Sequence, residues 1–279
     1  MTKVFDKNLE SKLLAAADKI QNADAILIAA GAGMGVDSGL PDFRSGAGFW
    51  KSYSGLNSSN NKLQEFASRK CFLTTPHIAW GFYGHRLNLY RKTKPHFGFQ
   101  LLKNWCTSKE NGGFIYTSNI DGHFQKAGFG ENDILECHGS INHLQCLQNC
   151  SYDIWPIDTT AIEVDEASGF AVSELPSCLH CGGLARPNVQ MFGDIAWIRD
   201  RTDEQFDIFH QWRNASCNIV VIEIGAGVAI PSVRIAAEQI GADIIRINPN
   251  ESLGGSNCIS IPTTATQALR CLNEVIEFL

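Results

Sequence analysis

The sequence predicts an α/β protein in which helices cover a sheet of parallel strands. Two short runs, Ala25–Ala30 and residues 218–224, are mostly apolar, as expected of strands that are buried on both faces of a parallel sheet. Each run is followed by glycines, which allow a sharp turn after a strand. The chain has 279 residues, of which 44% are hydrophobic, so it suits one large domain with a smaller insertion.

The remaining elements follow from the spacing of apolar residues. Leu9, Leu13, Ala17 and Ile20 recur at helical spacing, which predicts an amphipathic helix over residues 9–21. We predict further elements from the same patterns: helices within residues 62–106 with breaks at 74–76 and 94–95, strands at Gly113–Thr117, 243–248 and Cys258–Ile261, and a last helix after residue 264.

The first predicted strand is followed by three alternating glycines, Gly31, Gly33 and Gly35. Glycines in this position let the backbone bring its N–H groups against a phosphate. Val36 stands where the usual dinucleotide-binding pattern has its last glycine, so the glycines alone also fit a tight turn without a ligand. Residues 38–45 add a carboxylate, an aromatic ring and a guanidinium, and this addition favours a ligand site.

The composition argues against several classes of function. A net charge of −6 argues against nucleic acid as a direct partner. The sequence contains no long uninterrupted apolar run, so we expect no membrane partner. The N-terminal segment lacks the apolar core of a signal peptide, so we expect a cytoplasmic protein, in which the ten cysteines are thiols and metal ligands.

Four of the cysteines form two close pairs, Cys146 with Cys150 and Cys178 with Cys181. Two close pairs joined by a loop let four thiolates surround a tetrahedral zinc ion, and a zinc with all four positions filled is structural. His143 and His180 lie near these cysteines in the sequence, so either could replace a thiolate. The sequence therefore predicts a zinc-binding module.

Polar residues follow the predicted strand Gly113–Thr117. Ser118, Asn119 and Asp121 come directly after it, and the carboxyl end of a parallel strand is where ligands bind in open α/β sheets. Asn and Asp are also common turn residues. His138 follows further along the chain in the run His-Gly-Ser, and a histidine in such a turn has no assigned role when it is considered alone.

These motifs together resemble three signatures of the sirtuins, the Sir2-like NAD-dependent protein deacylases. Residues 31–44 match G-A-G-I-S-x-x-S-G-I-P-D-F-R nearly throughout, with Gly35 in place of serine. Residues 117–121 match T-Q-N-I-D, with Ser118 in place of glutamine, and residues 138–140 match H-G-S. The three signatures occur in the family's order.

Later segments extend the resemblance over almost the entire chain from Ala25 onward. Residues 184–194 correspond to the segment R-P-x-V-V-x-F-G-E, against which an acyl-lysine peptide adds as a strand in the sirtuins. The loop at 225–227 keeps the glycine of the family's G-T-S but has lost both hydroxyls. Some features at 122–129 resemble the sirtuin-like ADP-ribosyltransferases of bacteria.

The resemblance implies a fold and a division of the chain. The fold would be a Rossmann-like parallel sheet with helices on both faces, plus a smaller domain made of a helical insertion and a zinc ribbon. The Rossmann-like domain would comprise residues 1–45, 107–141 and 187–279. A cofactor loop and the helical insertion would occupy residues 46–106, and the zinc-binding module would occupy residues 142–186.

The resemblance also implies an NAD-dependent protein-lysine deacylase of the deacetylase type, which splits NAD to nicotinamide and O-acyl-ADP-ribose while it deacylates a lysine of a protein substrate. His138 would act as general base toward a ribose hydroxyl, a task that suits a group titrating near neutral pH. Asn119 would order the ribose, Asp121 would hold the carboxamide, and both would count as catalytic. The residues that the resemblance assigns to NAD binding are Gly31, Ala32, Gly33, Asp42, Phe43, Arg44, Ser118, Asn119, Ile120, Asp121, Gly225, Ala226, Gly227 and Asn248.

Four residues are candidates for substrate binding. Tyr83 and Arg86 are spaced to share one face of a helix, and sirtuins that remove malonyl or succinyl groups hold the acyl carboxylate with a tyrosine and an arginine at this spacing. The alternative is an amphipathic helix with a solvated arginine. Val189 and Phe192 belong to the segment that would pair with the peptide.

Two other functions remain open for the same site. One is mono-ADP-ribosyl transfer to a protein side chain, which is suggested by Ser118 and by the altered peptide segment. The other is hydrolysis or sensing of NAD without a protein substrate. Retention of His138 favours deacylation.

Overall fold

The computed structural model describes residues 7–41, 63–158 and 161–279. In this part of the chain the strands are β1 (Ala25–Ala30), β2 (Gly113–Thr117), β3 (Ile134–Glu136), β4 (Gly139–Cys146), β5 (Ile154–Pro156), β6 (Ala185–Val189), β7 (Ile219–Ile224), β8 (Asp243–Ile247) and β9 (Cys258–Ile261). The α-helices are α1 (Lys7–Asn22), α2 (Gly33–Val36), α3 (Leu63–Phe66), α4 (Arg69–Thr74), α5 (Pro76–Lys92), α6 (Phe97–Thr107), α7 (His123–Lys126), α8 (Asp200–Ala215), α9 (Ser232–Gln239) and α10 (Ala265–Phe278).

Six strands form one parallel sheet in the order β3, β2, β1, β7, β8, β9. The chain builds outward from β1 in one direction through β2 and β3, and from β7 in the other direction through β8 and β9. The order therefore reverses between β1 and β7. In open parallel sheets the crevice at such a reversal, outside the carboxyl ends of the strands, is where ligands bind.

Strand β1 is apolar throughout because both of its faces are covered. Ile26 and Ile28 pack into the core that contains residues of α1, α6 and α10. Leu27 and Ala29 point the other way, into a second core formed with α8 and α9. Successive side chains of a strand alternate between the two faces, so neither set can be polar. The predicted Rossmann-like sheet with helices on both faces is confirmed.

The other three strands form a small antiparallel sheet in the order β5, β4, β6. This sheet shares a core with the helical insertion, since Trp80 and Tyr83 of α5 pack in the same cluster as Leu144 of β4 and Ala185 of β6. The Trp80 indole also donates a hydrogen bond to the Ala185 carbonyl at 3.0 Å. The helical insertion and the small sheet therefore form one smaller module, as predicted for the second domain.

The predicted helical stretch of residues 62–106 is divided into α3, α4, α5 and α6, with interruptions near the predicted breaks. The last of these helices does not pack with the insertion, because Phe99, Leu102 and Trp105 of α6 lie in the core of the parallel sheet. The domain boundaries stay a prediction, and this packing favours ending the insertion before Phe97. Among the described helices, none has both the length and the apolar character needed to cross a membrane.

Candidate active site

The carboxyl edge of the parallel sheet borders a cavity of about 420 Å³. The segment after β2 contributes Asn119 and Asp121 to its wall, and the turn after β3 contributes His138. The smaller module forms much of the remaining wall, with residues of α5 and of the segment that follows β6. The fold thus brings the three predicted catalytic residues to one cavity, together with Ser118, Ile120 and Ala32 from the predicted cofactor set.

Asn119 is held at the cavity wall by the ends of two neighbouring strands. Its side-chain amide donates to the Gly31 carbonyl at 2.9 Å, and its backbone N–H donates to Thr117 Oγ1 at 3.0 Å. The Thr117 hydroxyl in turn donates to the Ala30 carbonyl at 2.9 Å. These bonds join the end of β2 to the glycine loop after β1, and they fix the Asn119 side chain between that loop and the cavity.

Asp121 is buried and lines the same cavity. One of its carboxylate oxygens accepts a hydrogen bond from the His123 backbone N–H at 2.9 Å, which fixes the side chain at the beginning of α7. An ionised carboxylate has two oxygens that accept hydrogen bonds. Asp121 can therefore accept a further hydrogen bond from a ligand amide in the cavity.

His138 lies in the turn between β3 and β4, and its ring contacts a second glycine-containing segment. The Nε2 atom lies 3.3 Å from the Ser232 hydroxyl at the beginning of α9, and the His138 carbonyl accepts a hydrogen bond from the Gln190 N–H at 2.9 Å. Burial lowers the pKa of His138 below its ordinary value of 6.5, although a hydrogen bond with the Ser118 backbone opposes this shift. The imidazole is therefore neutral near pH 7, and a neutral ring can accept a proton.

The glycines after β1 and β7 allow two loops to touch. The Gly31 N–H donates to the Ile224 carbonyl at 2.9 Å, and the Gly33 N–H donates to the Gly225 carbonyl at 3.1 Å. A Cβ atom on Gly33 would lie 2.6 Å from the Gly225 Cα, which is closer than two carbon atoms can approach. These two amides are used inside the protein, whereas we expected the glycine-loop amides to meet a phosphate. Contact of Gly31 and Gly33 with a cofactor stays a prediction.

A second cavity, of about 370 Å³, is lined by parts of both glycine loops and by Asn248. The Asn248 side chain organises the loops around this cavity, because its amide donates to the Ala226 carbonyl at 2.9 Å. Its oxygen accepts from the backbone N–H groups of Asn250 and Glu251, at 3.0 Å in each case. The predicted contact of Asn248 with a ribose stays a prediction. Ala226 and Gly227 line neither cavity.

The four predicted metal ligands form one cluster. The sulfur atoms of Cys146, Cys150, Cys178 and Cys181 all lie within 4.8 Å of one another, with Cys146 and Cys181 3.8 Å apart. Sulfurs bound at about 2.3 Å to a tetrahedral zinc are separated by about 3.8 Å, so the donor set and its spacing fit zinc. Neither nearby histidine belongs to the cluster, and the His180 ring instead pairs with the Asp153 carboxylate.

Tyr83 and Arg86 both line the first cavity. The Arg86 guanidinium donates to the Tyr90 hydroxyl at 2.8 Å, and its central carbon lies 5.3 Å from the centre of the Phe82 ring. Burial raises the pKa of Tyr83 to about 12, so its hydroxyl remains a hydrogen-bond donor. The predicted pair therefore faces the cavity together, and Arg86 is half-buried among aromatic rings.

The predicted peptide-binding segment begins with β6, which is an edge strand of the small sheet. Val189 at its end and Phe192 beyond it both line the first cavity, and the Phe192 ring is 43% exposed. The segment is anchored by the ion pair between Arg186 and Asp194, with 2.5 Å between nitrogen and oxygen and no exposure of either side chain. The five residues of β6 are themselves buried, so pairing of a peptide strand with this segment stays a prediction.

Some of the predicted site residues lie outside the described part of the chain, and two residues that were not predicted contact the site. Asp42, Phe43 and Arg44 lie outside the described residues, as do residues 46–62, the first part of the range predicted for the cofactor loop and the helical insertion. The structure also adds two residues that the motifs did not indicate: Ser232, which contacts His138, and Tyr90, which contacts Arg86. Ser232 is a polar residue just after a glycine loop and a proline. This position in the sequence could have indicated that Ser232 belongs to the site.

The fold and the site define a class. The protein is a Rossmann-like α/β protein with a four-cysteine metal-binding module and a histidine-lined cavity at the switch point of its parallel sheet. The family model described as "Sir2 family" matches residues 31–230, which is most of the chain. The chain belongs to the Sir2 family.

Individual relatives agree with this family. The NAD-dependent protein deacylase of Corynebacterium glutamicum is 29% identical over 272 residues, which cover 96% of this chain and 97% of that protein. The NAD-dependent protein deacylase of Aquifex aeolicus is 27% identical over 229 residues, which cover 81% of this chain and 84% of that protein. A solved Sir2 homologue in complex with NAD has the same fold, with a TM-score of 0.70, 22% identity, and coverage of 95% of this chain and 94% of that chain.

Proposed function

We propose that this protein is an NAD-dependent protein-lysine deacylase, which splits NAD to nicotinamide and transfers the acyl group to give O-acyl-ADP-ribose. The observation that carries the proposal is the meeting of His138, Asn119 and Asp121 at one cavity on the carboxyl edge of the sheet. Two relatives that match this chain over most of their length are named NAD-dependent protein deacylases, and these names support the same reaction.

The residues present fit NAD. One cavity has polar groups at the sheet edge and the apolar side chains of Leu40, Tyr83 and Ile230 on other parts of its wall, while the second lies beyond the paired glycine loops. When bound, NAD supplies a glycosidic bond to nicotinamide whose cleavage leaves an electrophilic ribose carbon. Asp121 and the Ile120 backbone would hold the carboxamide, Asn119 would order the ribose, and the apolar wall would exclude water from the reacting atoms.

His138 would move the proton in this reaction. Because burial keeps its imidazole neutral, a ring nitrogen would be able to accept the proton of a ribose hydroxyl. The Ser118 backbone and the Ser232 hydroxyl hold the ring in place. General-base catalysis by a positioned side chain typically contributes about 10²- to 10⁴-fold to the rate.

The first test is His138→Ala. We expect the deacylation rate to fall by about 10²-fold or more, while the zinc content and the thermal midpoint stay those of the parent. Formation of O-acyl-ADP-ribose from NAD and an acetylated peptide measures the rate. The matched control is His210→Ala, which removes an exposed histidine of α8 and should leave the rate unchanged. Parental turnover in His138→Ala would refute the assignment of the base.

The acyl group is proposed to carry a carboxylate, as in malonyl- or succinyl-lysine. Arg86 is suited to this task because a guanidinium pairs with a carboxylate through two parallel hydrogen bonds, and Tyr83 beside it keeps its proton. Arg86→Met should reduce kcat/KM for a succinylated peptide by about tenfold or more, because the charged bonds are lost, while kcat/KM for the acetylated peptide changes little. Equal losses with both peptides would contradict the acidic-acyl preference.

A second candidate function is transfer of ADP-ribose to a protein side chain. It is favoured by Ser118, which lines the cavity at a position where sirtuins usually have glutamine. Incubation with labelled NAD and an acylated peptide distinguishes the two reactions. Label that becomes bound to protein, without O-acyl-ADP-ribose, would favour the transferase.

The remaining parts of the proposal concern partners and location. The substrate would be an acylated lysine of a protein, presented as a strand along the edge of β6 near Val189 and Phe192. Zinc would be structural, since all four of its positions would be filled by thiolates. A cytoplasmic location is supported by the four clustered cysteines, because a reducing compartment keeps thiols available for zinc.

A further inference from the structure

The loops after β7 and β8 together border both cavities. Ile230 in the first loop lines the larger cavity, and the second loop lines the smaller cavity from Asn248 to Glu251. The loops are joined directly, since the Val228 N–H donates to a carboxylate oxygen of Glu251 at 3.1 Å. The separation of these loops therefore sets the shape of the smaller cavity.

One buried arginine beneath the loops is bonded to both of them. Arg234 lies on α9 with its side chain 11% exposed. Its Nε and Nη2 atoms donate to the Ala226 carbonyl of the first loop, at 3.3 and 3.2 Å. Nη2 also donates to the Glu251 carbonyl of the second loop. A guanidinium holds its donors in a rigid plane, so Arg234 fixes the positions of these two carbonyls relative to each other.

A buried carboxylate lies within ion-pair distance of this arginine. Glu223 on β7 is 1% exposed, and its Oε1 lies 3.7 Å from the Arg234 Nε. The same carboxylate pairs more closely with Arg246 of β8, at 2.8 Å from Oε1 to Nε and 2.8 Å from Oε2 to Nη2. The Arg246 guanidinium also donates to the Leu253 carbonyl at 2.8 Å. Buried charges are retained where such pairing offsets the cost of removing them from water.

We propose that Arg234, held by Glu223, is a positioning residue that sets the separation of the two loops and thereby the affinity for the adenosine end of NAD. This inference rests on the proposed function, because it assumes that the smaller cavity receives part of the dinucleotide. The inference concerns binding of the cofactor and not the chemical step. Replacement of Arg234 should therefore change the KM for NAD. The peptide would bind at the edge of β6, away from Arg234, so its KM should be unaffected.

The test is Arg234→Lys. A lysine keeps a positive charge near Glu223, so the buried carboxylate is still compensated, but a single ammonium cannot reproduce the planar fork that bonds both carbonyls. We expect the dissociation constant for ADP-ribose, measured by calorimetry, and the KM for NAD to rise about tenfold, since hydrogen bonds to two carbonyls are weakened. The kcat at saturating NAD and the KM for the peptide should stay within about twofold of the parent.

The matched control is Arg213→Lys. Arg213 is a half-buried arginine of α8 that donates to the Gln239 carbonyl at 3.1 Å, at the opposite end of helix α9 from Arg234, and its replacement should change neither constant. Parental ADP-ribose binding by Arg234→Lys would overturn the inference while leaving the proposed function intact. A parent protein that does not bind ADP-ribose or NAD would overturn the proposed function and the inference with it. An equal rise in the KM for NAD and for peptide would also overturn the inference.

Discussion

His138 illustrates how one residue is adapted by its surroundings. Its ring is half-buried, and removal from water disfavours the charged imidazolium. The Ser118 backbone acts in the opposite direction, and the net effect is a pKa below 6.5. The Ser232 hydroxyl at 3.3 Å adds a contact that restrains the ring. The imidazole is therefore neutral over the neutral pH range, as the proposed role of general base requires.

The lowered pKa of His138 predicts a pH dependence. The proposed base would work only when it is neutral, so kcat/KM should fall as the pH decreases and the ring takes up a proton. Because the pKa lies below 6.5, the midpoint of this fall should also lie below 6.5. Deacylation measured between about pH 5 and pH 8 checks the prediction. A midpoint at or above 6.5 would contradict it, and the residual activity of His138→Ala should lack this fall.

The segments that carry the four cysteines lie next to strands of the small sheet, so they bear on the stability of the smaller module. Cys146 ends β4, and Cys178 lies in the segment that leads to β6. The Cys178 carbonyl accepts from the Gly182 N–H at 3.0 Å, which forms a tight turn that brings Cys181 toward the other sulfurs. The small sheet has only three strands, and a sheet of this size depends on packing against another element. Because Cys146 pairs with Ala185 at the beginning of β6, a bound zinc would join the end of β4 to the segment that leads into β6, at one end of this sheet.

Zinc removal is therefore expected to destabilise the smaller module. A chelator, or Cys178→Ser, should lower the thermal midpoint by several degrees, because binding of a metal to the folded state contributes to folding free energy. Calorimetry together with measurement of bound zinc checks this result. Cys217→Ser is the matched control, since Cys217 is exposed and outside the cluster. An unchanged midpoint in the zinc-free protein would show that the metal does not stabilise the fold.

At the scale of the whole molecule, the site lies where separate parts of the chain meet. The parallel sheet contributes Asn119, Asp121 and His138, and the smaller module contributes Tyr83 and Arg86. The parallel sheet and the smaller module have largely separate cores, although Leu40 and Ile120, from the loops after β1 and β2, pack in the core of the smaller module.

Local pattern by itself determined much of the protein. Runs such as Ala25–Ala30 predicted the buried strands, because a strand covered on both faces must be apolar. The spacing of Cys146, Cys150, Cys178 and Cys181 predicted the metal cluster, since a tetrahedral ion needs four nearby ligands. The motifs at Asn119 and His138 indicated the family and the reaction, because they keep the residue types that the chemistry needs.

Only the tertiary structure decided which of these segments touch. The sequence does not show that Gly33 packs on Gly225, that α6 belongs to the sheet core, or that Arg234 bonds two loops at once. These contacts depend on the order of the strands in the sheet, and that order is set by packing between residues far apart in the chain. The spacing of residues along the chain does not determine the strand order, because the same pattern of strands is compatible with several orders.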